Sequence, residues 1–132
     1  MRLKIIGYLL VVLSASATYA QVNTSLKITE VNYNPQSEVI LGATIDGTNY
    51  EFIEIKNVGT TPYDLSGTFF SSGIKFFFLD NTIIQPGEFI IIAYNYNKFF
   101  EMYGFPPNGL FTSDSKLSNK GEGITLSKVV GV

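Results

Sequence analysis

Glu51 and Glu54 stand three residues apart in the run "YEFIEIKN", residues 50–57. Carboxylate pairs perform general acid–base work when both side chains reach one reacting group. The residues around these two decide whether they can. Phe52, Ile53 and Ile55 give the run the β-branched and aromatic character of a strand. Successive strand side chains point to opposite faces. Glu51, Ile53 and Ile55 therefore share one face, and Phe52, Glu54 and Lys56 share the other. A regular strand keeps the carboxylates apart. Glu54 is expected on a solvated face, balanced by Lys56. Glu51 is expected at the head of the buried face, bonded to a turn.

The remaining candidates point the same way. Histidine and cysteine are both absent, which excludes thiol nucleophiles, disulfides, His-dependent triads and the usual zinc sites. Asp64, Asp80, Asp114 and Glu122 lie beside Gly, Ser or Asn, where carboxylates bond the backbone N–H groups of turns. Calcium takes oxygen ligands, but no loop of regularly spaced acids is present. "SNKGEG" (118–123) has no phosphate-loop spacing and reads as a turn. Asn23 heads a glycosylation sequon, "NTS". The aromatics of "FFSSG" and "AYNYNKFF" suit core packing and a hydrophobic lid better than a ligand platform. The sequence thus assigns no catalytic residue, no cofactor and no metal ligand.

The first twenty residues read as a leader. Arg2 and Lys4 precede the uncharged run "IIGYLLVVL", and "SASATYA" supplies small residues up to Ala20. That order is the layout of a secretory signal peptide, and the run is shorter than the roughly 20 residues that span a bilayer. Residues 1–20 are therefore expected to be a signal peptide and 21–132 the exported domain, with no membrane span once the leader is gone. Loss of Arg2 and Lys4 moves the net charge from −2 to −4. An acidic domain without arginine is a poor ligand for polyanions, so nucleic acid is not an expected partner. Protein or cell-surface partners are.

The elements that position these residues are short. "LKITEVNY" (26–33) alternates; a short strand is expected at 38–41 and a turn at Asp46-Gly47. "GIKFFFLDN" (73–81) and "EFIIIAYN" (88–95) read as strands, with a type II turn at Pro86-Gly87 before the second. "NKFFEMYG" (97–104) is the single helical stretch, capped by Asn97 and stopped by Gly104. "GITLSKVV" (123–130) is the last strand. Turn signals every eight to twelve residues indicate an all-β sandwich or small barrel. Ile28, Ile53, Ile55, Phe77, Ile90, Ile92 and Ile124 are the expected core.

The order "LKITEVNYNP", "YEFIEIKNVGTTPYDLSG", "FFF", "IIQPGEFIIIAYN", "FFEMYG", "KLSNKGEGITLS" resembles the lamin tail domain in its bacterial, secreted form, over about residues 26–128. The resemblance implies an immunoglobulin-like β-sandwich of antiparallel strands with one short helix near 97–103. It places scaffold positions on Glu30, Asn34, Pro35, Glu51, Phe52, Glu54, Asn57, Asp64, Leu65, Gly67, Pro86, Gly87, Leu117, Ser118, Asn119, Gly121 and Glu122, and it supplies no catalytic residue. Such domains are similar to modules of long exported proteins, beside nucleases, phosphoesterases, spore-coat kinase-like domains or sorting signals. The family adds a strand after the one ending in "ITL", and an Asp usually stands where this chain has Lys128. A final strand is therefore expected to be missing, which would leave a bare, self-associating edge near Val129 and Val130.

These readings imply an exported, non-catalytic module for interaction or structural support within a larger cell-surface or secreted protein. Alternatives are the N-terminal fragment of a secreted enzyme whose catalytic domain lies downstream, and a carbohydrate- or calcium-binding domain. Exported material should begin at Gln21. Intact-mass measurement checks this, and a product retaining residues 1–20 would contradict it.

Overall fold

The computed structural model describes residues 19–21 and 25–130. In chain order the strands are β1 (Tyr19–Gln21), β2 (Leu26–Asn32), β3 (Glu38–Ile40), β4 (Ala43–Ile45), β5 (Phe52–Asn57), β6 (Tyr63–Asp64), β7 (Thr68–Ser72), β8 (Ile83–Ile84), β9 (Phe89–Ala93), β10 (Gly109–Leu110) and β11 (Thr125–Val129). A 3-10 turn at Gly47–Tyr50 and helix α1 (Tyr96–Tyr103) complete the set.

Two sheets enclose one core. The larger has the order β10-β9-β5-β2 and the smaller β1-β11-β7, with β3-β4 and β6-β8 as two-stranded ribbons. Pairing is antiparallel except for the two-residue contact of β10 with β9, which is parallel. Ile53, Ile55, Ile90 and Ile92 from the larger sheet meet Phe70 and Leu126 from the smaller, with Leu65, Ile74, Phe78, Ile84, Phe111 and Leu117 filling the space between. The architecture is the expected β-sandwich. Without disulfides, this apolar core and the backbone ladders hold it together.

Alternation along β5 is as the sequence dictates, since Ile53 and Ile55 are fully buried on the core face. Its other face is not all solvent. Phe52 is buried too, in a second small cluster with Ile91, Ala93 and Phe99. Helix α1 covers that end of the sheet: the Phe99 and Tyr103 rings each meet Phe52 edge-on at 5.5 Å. Asn95, not Asn97, caps the helix, and its side chain accepts from the Lys98 N–H at 3.2 Å. The two asparagines stand two residues apart, so composition alone does not choose between them. Gly104 ends the helix at φ 78°, as expected.

Several expectations are corrected. The segment 73–81 is no continuous strand; it touches the smaller sheet at a single bridge, Phe69 to Phe77. Phe77 is 70% exposed and stacks on Phe69 at 5.1 Å, while Phe78 is buried and Phe76 packs against the core. Three consecutive phenylalanines fit either phase of an alternation, and the inward phase is the other one. Ile28 and Ile124 are only partly buried. The hairpin after residue 38 turns at Leu41-Gly42, both at positive φ, whereas Asp46-Gly47 starts the 3-10 turn. Pro86-Gly87 is the expected type II turn, with Gly87 at φ 80° and Glu88 N–H bonded to Gln85 C=O.

β11 has β7 on one side and, over Ser127–Val129, β1 on the other. In the full chain the edge expected to be bare is paired there, but Tyr19 and Ala20 of β1 belong to the expected leader, and only Gln21 remains to pair with Ser127 once the leader is removed. The rest of the leader, residues 1–18, and the sequon at Asn23 lie outside the described residues.

Ile55→Ala should cost about 2–5 kcal/mol, as truncation in a packed core does. Phe77→Ala should cost about 1 kcal/mol or less, the worth of an exposed aromatic stack. Urea unfolding of both variants gives the comparison, and an equal cost would place Phe77 in the core.

Candidate functional site

Glu51, just before β5, and Glu54, within it, both find partners, on opposite sides of the sheet. Glu51 follows the 3-10 turn and is only 1% exposed. Its Oε2 accepts from the Leu117 N–H at 2.8 Å, and its backbone C=O accepts from the Tyr94 N–H at 2.9 Å. One residue thus joins the head of β5, the end of β9 and the long 112–122 loop. Oε1 is buried with no hydrogen-bond partner. Burial pushes the carboxyl pKa up; the Leu117 N–H and the Lys116 charge oppose this without prevailing. Glu54 is half-buried, and its Oε1 accepts from the Thr29 hydroxyl at 2.6 Å. Its expected partner Lys56 instead lies over the Phe89 ring, 4.3 Å from the centroid.

A raised carboxyl pKa suits a general acid. Such an acid needs access to substrate and a second group to work with. One open cleft, about 470 Å³, is lined by Asp46, Thr48, Asn49, Tyr94, Ser113, Asp114 and Lys116, and Glu51 is not among them. The two carboxylates that do line it are held ionised. Hydrogen bonds from Thr48 lower Asp46, and Lys75 with Thr112 brings Asp114 down to about 2. Lys75 Nζ meets Asp114 Oδ2 at 2.7 Å, both well exposed. Neither carboxylate is poised to exchange protons near neutrality.

The other acids named from sequence also work on loops. Asp64 Oδ1 accepts from the backbone N–H and hydroxyl of Ser66, at 2.8 and 2.6 Å. Those bonds lower its pKa. Glu122 Oε1 accepts from the Ser118 N–H at 2.7 Å, closing the loop that "SNKGEG" forms. Asp80 sits in the turn closed by Thr82 N–H to Leu79 C=O. Lys128 donates to the Asp64 C=O at 2.6 Å. Among the described residues no three acidic side chains are grouped to hold a metal ion.

Sequence chemistry alone undervalues Asn57, which is fully buried at the end of β5. Its Nδ2 donates to the C=O of Thr61 and of Ile84, at 2.8 and 3.0 Å, and its Oδ1 accepts from the Gly59 N–H at 2.9 Å. Its backbone N–H and C=O bond Glu88 C=O and Gly87 N–H. The only local signal is a polar residue ending an apolar run just before "VG".

Glu51→Gln should flatten the pH dependence of stability. A folded-state pKa raised above the usual 4.5 means that stability linked to protonated Glu51 is complete in acid. It is lost as pH rises through the folded pKa. The variant should melt with wild type below that window and higher than it at neutral pH. Thermal melts across the pH range check this, and a variant less stable at neutral pH would mean the ionised carboxylate is favoured.

With this geometry in hand, comparison with known proteins gives one match. A family model described as Lamin Tail Domain matches residues 20–131. No curated protein and no solved structure matches the chain.

Proposed function

The chain belongs to the lamin tail domain family of non-enzymatic immunoglobulin-like domains, and from that premise we propose that it is an exported interaction or support module of a cell-surface or secreted protein. The observation that carries this reading is the use made of its polar groups. Glu51, Asn57, Asp64 and Glu122 each bond backbone groups of neighbouring turns and loops. Groups spent in this way hold a scaffold, and the one uncommitted oxygen among them, Glu51 Oε1, is buried away from solvent.

Export is supported by the charged, apolar and small-residue order of residues 1–20. An interaction role is supported by the exposed apolar residues Tyr96, Phe100, Met102, Tyr103 and Phe105 around α1. Exposed clusters of this kind mark contact surfaces.

The purified chain should show no hydrolase, nuclease or kinase turnover against generic ester, nucleic-acid and nucleotide substrates. Turnover that copurifies with the chain and disappears in Glu51→Gln would replace the scaffold reading with an enzymatic one.

A further inference from the structure

The outer face of the larger sheet carries charges in an unfavourable arrangement for a lone domain. The β2–β5 register sets Lys27 opposite Lys56 and, past an irregularity at Thr29, Glu30 opposite Glu54. Residues so paired have Cβ atoms about 4.5–5.5 Å apart, and like charges there repel. Lys27 and Glu30 are exposed and Lys56 and Glu54 half-exposed. The pairs also lie in order: positive at one end, negative two β5 residues further on, about 6.6 Å along the strand.

This pattern is complementary to itself. A two-fold axis lying in the interface and crossing the strands between the pairs sets Lys27 and Lys56 of one copy over Glu30 and Glu54 of the other. The same operation repeats the contact in reverse, as an isologous interface must. The apolar residues follow the same symmetry. Phe89, 48% exposed, flanks the positive end beside Lys56. The rings of α1 rise beyond the negative end, with Phe99 and Tyr103 packed on Phe52. The two-fold lays Phe89 of each copy toward the α1 ridge of the other, so each helix covers the sheet end that its own copy leaves open.

We infer that the outer face formed by Lys27, Glu30, Glu54, Lys56 and Phe89 is a docking surface for a second copy of this chain, two charge pairs meeting two opposite pairs across a two-fold axis. The inference rests on the module reading and adds the partner. A failure of dimerisation with turnover still absent would remove the inference and leave that reading in place.

Sedimentation velocity of the exported chain, residues 21–132, tests it. Wild type should be a dimer that weakens as salt rises from about 0.15 M to about 1 M, where the screening length falls from about 8 to 3 Å. The double variants Glu30→Lys with Glu54→Lys, and Lys27→Glu with Lys56→Glu, should each weaken self-association about a hundredfold through like-charge contact. Mixed together, the two should form a heterodimer. The fourfold exchange of all four charges keeps the pattern with its signs reversed and should dimerise again, which separates loss of contact from loss of fold. A monomeric wild type at the highest attainable concentration, or a dimer indifferent to both double variants, would overturn the inference.

Discussion

The buried side-chain amide of Asn57 is the point on which the connections of this sandwich depend. β5 lies between β2 and β9 in the larger sheet, and Asn57 ends it. From there one side chain closes the 57–61 turn through Gly59 and Thr61 and crosses to Ile84 on β8, while its backbone holds the turn before β9. Each of these bonds satisfies a polar atom of Asn57, which burial would otherwise strand without water. An unsatisfied buried donor or acceptor costs about 1–3 kcal/mol. No aliphatic residue of similar size supplies two donors and an acceptor in that geometry.

The other end of the strand is held by the same means with a different side chain. Glu51 precedes β5 and reaches the Leu117 N–H, so the long loop before β11 is fastened to the head of the central strand. Between these polar ends the core face is purely aliphatic, Ile53 and Ile55. This division explains how an immunoglobulin-like sandwich without a disulfide keeps its loops in place. Apolar burial supplies the driving force, and a few directional bonds choose where each connection lies. It also explains why the carboxylate with the chemically most suggestive pKa is no catalyst: its reachable oxygen is committed to the backbone and its surroundings exclude solvent.

What the sequence discloses and what it hides follow from range. Alternation in "YEFIEIKN", the Pro86-Gly87 turn and the Gly104 stop are local matters, settled by side-chain period and backbone freedom. The scaffold role of Glu51 was legible because an odd spacing separates it from Glu54. Its partner was not, since Leu117 lies 66 residues away. The same holds for Lys75 with Asp114, 39 apart. The phase of the three phenylalanines, and the positive φ of Leu41, carry no local signal at all. Phe77 is outward because Phe76 and Phe78 meet the core first, a decision made by the opposing sheet.

The central claim is that Glu51 pins the 112–122 loop to the head of β5 and is therefore unavailable to any reactant. Native-state hydrogen exchange at the Leu117 amide reads that pin directly. The account predicts protection comparable to the slowest amides of β5, so that Leu117 exchanges only when the domain unfolds. Exchange at the rate of an exposed loop amide under native conditions would contradict it. It would show a carboxylate that is buried and free.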